Sequence, residues 1–179
     1  IHISDVNNDG FPDIIAGNCG LNSHFKASHA KPVTLHYKDY DENGTIDPIL
    51  CHYIGDKSYP AVMRDKLLDH MVVLKKKFLR YYQYARATIA DIFSQDQRKD
   101  EKILQANILS SVILLNQDGK SFTIADLPVE AQISMVRCIQ SMDINQDGNM
   151  DLILGGNFGG TDVLYGVYDA SVGLVLTGD

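Results

Sequence analysis

The hydrophobic and polar positions of this chain follow a strand period over most of its length. Short apolar runs such as VTLHY at 33–37 and PILCHYI at 48–54 are bounded by clusters of Asp, Asn and Gly. Two further runs, at 108–116 and 121–127, are joined by Gln-Asp-Gly-Lys, and Asp-Gly is a strong hairpin signal. The pattern therefore predicts a mainly β fold made of short strands and hairpins.

One segment departs from this period. Between Arg64 and about Gln95, apolar side chains recur at helical spacing. They form two stripes: Leu67, Met71, Leu74 and Phe78, then Ala85, Ile89 and Ile92. We therefore predict an inserted α-helical pair at 64–102, between β-rich parts at 1–63 and 103–179.

A nine-residue motif occurs three times in the β-rich parts. DVNNDGFPD at 5–13, DYDENGTID at 39–47 and DINQDGNMD at 143–151 all fit D-x-[DN]-x-[DN]-G-x-x-D. An apolar run follows each copy, and after the first and third copies it ends in Gly-Asn. The run VGLVLTG at 172–178 is similar to VTLHYK at 33–38, which predicts that Asp179 begins a fourth loop. The related segment at 116–119 lacks the closing Asp, so we interpret it as a turn.

The motif carries the oxygen atoms that calcium prefers. Ca²⁺ takes about 6–8 oxygen ligands from carboxylates, amides and backbone carbonyls. Positions 1, 3 and 5 supply side-chain oxygens, position 7 a backbone carbonyl and position 9 a closing carboxylate, while position 6 is glycine, where the chain must turn sharply. The predicted ligands are Asp5, Asn7, Asp9, Phe11 and Asp13 in the first loop, Asp39, Asp41, Asn43, Thr45 and Asp47 in the second, and Asp143, Asn145, Asp147, Asn149 and Asp151 in the third.

These loops are not EF-hands. An EF-hand places a bidentate Glu at position 12, where this chain has Ala16, Leu50 and Leu154 within apolar runs. The ion would instead be enclosed by nine residues that lead into a strand. We predict about three Ca²⁺ ions that stabilise the fold, and the alternative is a set of Asx-rich turns that bind nothing.

The motif, followed by an apolar strand and Gly-Asn, resembles the FG-GAP/VCBS repeats of integrin α-subunits and bacterial surface proteins. The resemblance covers 1–63 and 103–179, and the segment 64–102 is similar to the insert of one bacterial subgroup. It implies a β-propeller that works outside the cytoplasm in adhesion or ligand binding. At roughly 40–50 residues a blade, the β-rich parts suffice for about three blades. We therefore expect a partial propeller from a longer protein, completed by further blades or pairing with a second copy.

Composition narrows the function classes. The formal net charge of −7 argues against nucleic acid as a partner, and no apolar run approaches the ~20 residues that span a bilayer. The chain opens on a strand-like run without an initiator Met, so we expect a piece of a longer protein. Cys19, Cys51 and Cys138 lack metal-site spacing, which leaves either buried free thiols or one disulfide with a spare thiol.

No nucleophile elbow, H-E-x-x-H motif or phosphate loop occurs in the sequence. We therefore predict a non-enzymatic, extracytoplasmic module that binds a protein or glycan ligand. The alternatives are an accessory or catalytic domain of a polysaccharide-active enzyme, or a purely structural scaffold. Candidate glycan contacts are the lysines at 75–77 and the tyrosines at 81, 82 and 84, which could equally be a solvated helix face and packing residues. His36 and His52 are a weaker candidate metal pair.

Overall fold

The computed structural model describes residues 1–178, so the predicted fourth loop at Asp179 lies outside the described residues. This part of the chain is mainly β, as predicted. Its strands are β1 His2–Ser4, β2 Asp13–Ala16, β3 Val33–Lys38, β4 Asp47–Ile54, β5 Lys57–Pro60, β6 Lys102–Ala106, β7 Val112–Gln117, β8 Ser121–Asp126, β9 Cys138–Met142, β10 Asp151–Gly155 and β11 Leu174–Leu176.

The strands form three sheets, and every pairing is antiparallel. Two sheets have four strands, in the orders β1-β2-β7-β8 and β5-β4-β3-β6, and the third has the order β11-β10-β9. Within residues 1–178 none of the three closes into a barrel. The Asp118-Gly119 hairpin is confirmed: it joins β7 to β8, and both residues have positive φ, 53° and 71°.

The chain folds as two compact units. The first unit comprises residues 1–24 and 109–178, and the second comprises Phe25–Ile108. In sequence the second unit is inserted between β2 and β7, which are neighbours in one sheet. The helical turns of the second unit lie within the predicted insertion at 64–102, and pairing of β3 with β6 joins the strands on both sides of that segment in one sheet.

The helical segment contains four short turns instead of the predicted pair of helices. They are α1 Arg64–His70, a 3₁₀ turn Val72–Lys76, α2 Tyr81–Tyr84 and α3 Ile89–Ile92. Met71 (φ −118°, ψ 83°) and Arg80 (φ −127°, ψ 146°) leave the helical region and interrupt the path. The first unit has two further 3₁₀ turns, Val129–Gln132 and Val163–Tyr165. No helix within residues 1–178 is long and apolar enough to span a membrane.

Each unit has its own hydrophobic core. In the second unit the first predicted stripe is buried, together with Ile49 and Cys51 of β4, and Phe93 stacks on Tyr40 with ring centroids 4.0 Å apart. Of the second stripe, Ile89 and Ile92 are buried but Ala85 is exposed. In the first unit one core joins the two sheets of that unit through their inner faces. Its fully or nearly buried members are Ile15, Leu127, Ala131, Leu152 and Leu154.

The outer face of the sheet β1-β2-β7-β8 also carries an apolar row. Ile3, Ile14, Leu114 and Ile124 are register partners across all four strands, so their side chains share one face. Ile3 is 64% exposed and Ile124 is 53% exposed. A row of this kind is typical of a surface that another sheet can cover.

All three cysteines are free thiols, but only one of them is buried. Cys51 lies in the core, where burial and then the charge of Glu101 raise the pKa of its thiol to about 12. Cys19 is half-buried and Cys138 is exposed. The prediction of buried free thiols is therefore right for Cys51 and wrong for Cys138.

Candidate metal-binding loops

The three repeated loops occupy the same place in three hairpins. They connect β1 to β2, β3 to β4 and β9 to β10. In each hairpin the residue before the loop pairs with position 9, which is also the first residue of the next strand. The three pairs are Ser4–Asp13, Lys38–Asp47 and Met142–Asp151. The repeat seen in the sequence is therefore a repeat of strand register as well.

The carboxylate at position 1 organises each loop. Asp5 accepts hydrogen bonds from the backbone N–H groups of Asp9 and Gly10, at 3.2 and 2.8 Å. The same two bonds measure 3.0 and 2.7 Å at Asp39, and 3.2 and 2.9 Å at Asp143. Each carboxylate therefore lies inside the turn, on the concave side of the backbone.

The backbone of the loops repeats as closely as the hydrogen bonds do. Positions 4 and 6 have positive φ in every copy. The values are 57° at Asn8, 60° at Glu42 and 63° at Gln146, then 88° at Gly10, 89° at Gly44 and 91° at Gly148. A Cβ on any of the three glycines would meet nothing within 4 Å. Glycine is therefore required by the left-handed conformation and not by lack of space.

Positions 3, 5 and 7 also repeat their contacts. The side-chain oxygen of position 5 accepts the N–H of position 7 at 2.8 Å in all three loops. In the first and third loops the amides of Asn7 and Asn145 donate to the position 5 carboxylate, at 2.9 and 2.7 Å. The predicted side-chain ligands of each loop are thus gathered around one turn.

The closing carboxylate is fully buried in the first and third loops. Asp13 accepts the N–H of Val6 at 3.0 Å on one oxygen and that of Asn116 at 2.7 Å on the other. Asp151 repeats this arrangement with two backbone donors at 2.8 and 3.0 Å, the second from Gly178. Its backbone hydrogen bonds hold the pKa of Asp151 below the ordinary range.

The second loop closes differently. Asp47 accepts the N–H of Tyr40 at 3.0 Å, and in the described part of the chain no second backbone donor reaches its carboxylate. Burial is the main cause that raises the pKa of Asp47. The hydrogen bond from Tyr40 lowers this pKa, and the charges of Asp41 and Asp39 raise it further. One oxygen of Asp41 is buried without a hydrogen-bond partner. This loop therefore holds negative charge that the protein itself does not compensate.

The donor set of the second loop suits a hard divalent cation. Carboxylate oxygens of Asp39, Asp41 and Asp47 lie within 4.8 Å of one another, a grouping of acids that does not recur in residues 1–178. Three carboxylates at this range repel one another, and a cation between them would remove the repulsion. The other two loops also carry three ligand carboxylates each, with Asp at position 5 instead of position 3, but within residues 1–178 these carboxylates are not grouped at this range.

A buried polar cluster lies behind the second loop, and no motif or spacing in the sequence predicts it. The Tyr40 hydroxyl, at loop position 2, donates to Glu101 at 2.8 Å, and the imidazole of His36 lies 3.5 Å from the same carboxylate oxygen. Burial and then the hydrogen bond to Glu101 raise the pKa of Tyr40 well above its usual range. The cluster anchors the loop to β3 and to the segment that leads into β6.

The other candidates from the sequence are not brought together. His36 pairs in register with Ile49, whereas His52 pairs with Tyr59, so the two imidazoles face opposite sides of the sheet and the metal-pair hypothesis is wrong. Lys77 donates to the carbonyl of Ile92 at 3.0 Å, and all three lysines at 75–77 are exposed.

The three tyrosines do not form one stacking platform. Tyr84 is buried and its hydroxyl donates to the carbonyl of Val62 at 2.7 Å, while Tyr81 and Tyr82 are exposed. The guanidinium of Arg64 lies over the Tyr81 ring, 4.8 Å from its centroid, and the Tyr81 hydroxyl is bonded to Asp65. One face of the Tyr81 ring is therefore covered by the Arg64 guanidinium.

Comparison with protein-family models gives no match, and the same is true of comparison with curated proteins and with solved structures.

Proposed function

We propose that the three loops bind Ca²⁺ and that the protein is a calcium-stabilised binding module of the β-propeller type. The observation that carries the proposal is the agreement of the three loops in strand register, in the hydrogen bonds accepted by positions 1 and 5, and in the left-handed positions. Unrelated polar turns would have no reason to agree in all three respects. A shared ligand, held by the same oxygen positions, supplies such a reason.

The fold supports the second half of the proposal. Two of the three antiparallel sheets have four strands, as propeller blades do. The two sheets of the first unit share a core through their inner faces, and the outer face of one carries the apolar row Ile3–Ile14–Leu114–Ile124. Further blades, or a second copy of this chain, would cover that face. The partner in function would be a protein or glycan ligand outside the cytoplasm, where free calcium is high enough for such loops.

Calcium titration of protein stripped with a chelator tests the metal. We expect saturable heat in isothermal titration calorimetry with about three sites, and a higher midpoint of thermal unfolding in calcium than in chelator. Magnesium at the same concentration is the control, because it demands a smaller octahedral site and should stabilise less. An unchanged midpoint together with no binding heat would contradict the proposal.

Single-loop variants assign the sites. Asp5→Asn, Asp39→Asn and Asp143→Asn each remove one position 1 carboxylate with little change of shape, and each should remove one calcium from the stoichiometry. Asp126→Asn, an acid outside the loops, is the matched control and should leave the count unchanged. Screening the calcium-loaded protein against a glycan array then tests the class of ligand.

A further inference from the structure

The first and third loops both belong to the first unit, and a direct hydrogen bond joins them. The side-chain amide of Asn8 donates to the backbone carbonyl of Gly148 at 3.0 Å. Asn8 is position 4 of the first loop and Gly148 is position 6 of the third, and both have positive φ, 57° and 91°. The bond therefore connects the turns of two loops that are 140 residues apart in sequence.

The strands that lead into these two loops are joined as well. The hydroxyl of Ser141 in β9 donates to that of Ser4 in β1 at 2.9 Å, and the imidazole of His2 lies 2.9 Å from the same Ser141 oxygen. Ser4 is the residue before the first loop, and Ser141 lies just before the third. Side-chain hydrogen bonds therefore fix the relative position of the strands from which the two loops start.

Both ends of the bond between the loops lie among predicted ligands. Asn8 stands between the ligands at positions 3 and 5 of the first loop, and Gly148 stands between those at positions 5 and 7 of the third. An ion bound by the flanking positions would hold each partner of the bond in place. Because a group that is already ordered loses less conformational entropy when it bonds, an ion in one loop would favour the ordered form of the other.

We propose that the first and third loops bind calcium with positive cooperativity, through the hydrogen bond from Asn8 to Gly148. This inference rests on the proposed function, because it needs calcium in both loops. Each ion then increases the affinity of the other loop for calcium by the same factor. The net strength of one hydrogen bond corresponds to a factor of about two to ten in affinity.

Repulsion between the two ions opposes this coupling, and salt distinguishes the two effects. Asn8 and Gly148 are both exposed, so salt screens charges in the two loops. The Debye length falls from about 8 Å at about 0.15 M to about 3 Å at about 1 M. A hydrogen bond between two neutral groups is not screened in this way. Cooperativity should therefore persist or increase as salt is raised, although the calcium affinity of each loop falls.

Calcium titration of the whole chain carrying Asp39→Asn measures the coupling, because that substitution removes the second site. Isothermal titration calorimetry in about 0.15 M salt should give two bound ions and a Hill coefficient above unity. Adding Asn8→Gly removes the donor and keeps a residue that tolerates positive φ, so the Hill coefficient should fall to unity with two ions still bound. Gln146→Gly, the same change at position 4 of the third loop, is the matched control and should leave the coefficient above unity.

NMR gives a second measurement that does not depend on the shape of a binding curve. In a chain carrying Asp5→Asn and Asp39→Asn, only the third loop keeps its position 1 carboxylate. Calcium should nevertheless shift the side-chain amide signal of Asn8, and further substitution of Asp143→Asn should abolish that shift. An Asn8 signal that calcium leaves unchanged while the third loop is occupied would overturn the coupling.

The outcomes separate this inference from the calcium proposal. Two bound ions with a Hill coefficient of unity or less, or a coefficient above unity that Asn8→Gly leaves unchanged, would overturn the coupling while the calcium proposal stands. If no calcium binds, the calcium proposal fails and the coupling fails with it. Circular dichroism shows whether each variant retains the fold, and if Asn8→Gly does not, the NMR measurement, which keeps Asn8, decides.

Discussion

The second loop and the other two loops are built from one motif but differ in how the closing carboxylate is held. Asp13 and Asp151 each receive two backbone N–H groups, one of them from a residue far along the chain. Asp47 receives one, and it shares its surroundings with two other carboxylates. The closing carboxylates of the first and third loops are therefore each held by two backbone donors, whereas the closing carboxylate of the second loop is held by one and lies among like charges.

The difference indicates that the motif alone does not determine how much a bound ion would stabilise each loop. Where the protein donates enough hydrogen bonds, an ion would add stability to a turn that is already formed. Where it does not, the metal-free loop contains a raised carboxylate pKa and an unpartnered oxygen, as at Asp47 and Asp41.

Calcium itself should have the largest effect. At a free concentration one hundred times the dissociation constant, each occupied site adds about 2.7 kcal/mol to the free energy of unfolding. We expect the increase to be larger for wild type than for Asp39→Asn, and the difference is measured by urea unfolding in calcium and in chelator. A calcium effect that is the same in both proteins would show that the second loop is not a site.

The closing carboxylates should differ most clearly without metal. Asp13→Asn replaces a buried acceptor of two N–H groups, and because hydrogen bonds to charged groups contribute about 1.5–3 kcal/mol, it should lower the free energy of unfolding by about 2–3 kcal/mol. Asp47→Asn removes a charge that its neighbours oppose and should be nearly neutral in chelator. Urea unfolding of both variants in chelator makes the comparison, and equal losses would contradict it.

The glycines should behave alike, since their geometry is the same in all loops. Alanine at Gly10, Gly44 or Gly148 meets no steric obstacle but must adopt positive φ. The cost for a non-glycine residue in that region is about 1–2 kcal/mol. Thermal unfolding should show the same loss for all three variants, and a markedly larger loss at one would indicate a contact specific to that loop.

The pH dependence should have opposite signs at the two kinds of loop. The pKa of Asp151 is lowered, so its contribution to stability is present above the ordinary Asp pKa of about 3.9 and is lost as the pH falls through the folded value. The pKa of Asp47 is raised, so its charged form opposes folding at neutral pH and stability is gained as the pH falls through its folded value. Urea unfolding in chelator gives the free energy of unfolding of wild type, Asp151→Asn and Asp47→Asn at each pH. Each substitution should remove one contribution to the slope of that free energy against pH, and the two contributions should have opposite signs.

The local features of this fold were visible in the sequence, and the non-local ones were not. The Asp118-Gly119 hairpin and the glycine of each loop depend on a few adjacent residues, and both are where the pattern predicts them. The second donors to Asp13 and Asp151 come from Asn116 and Gly178, and no spacing rule connects those positions. The difference between the loops therefore could not be predicted from the motif.

The helical segment and the units show the same limit. Apolar periodicity identified the buried stripe from Leu67 to Phe78, but it did not show that Met71 and Arg80 leave the helical region. Pairing of β3 with β6 spans the whole helical segment and places both of its ends in one compact unit, which no local pattern shows.

The insertion of the second unit has a consequence for the order of folding. β2 and β7 pair through residues such as Ile15 and Ile113, roughly 100 positions apart, and closing a disordered loop of that length is entropically slow. Val33 and Ala106, near the two ends of the inserted unit, are register partners. A second unit that folds first therefore brings its own ends together and shortens the effective connection between β2 and β7. During synthesis the edge of β2 that pairs with β7 would therefore stay unpaired until the second unit has formed.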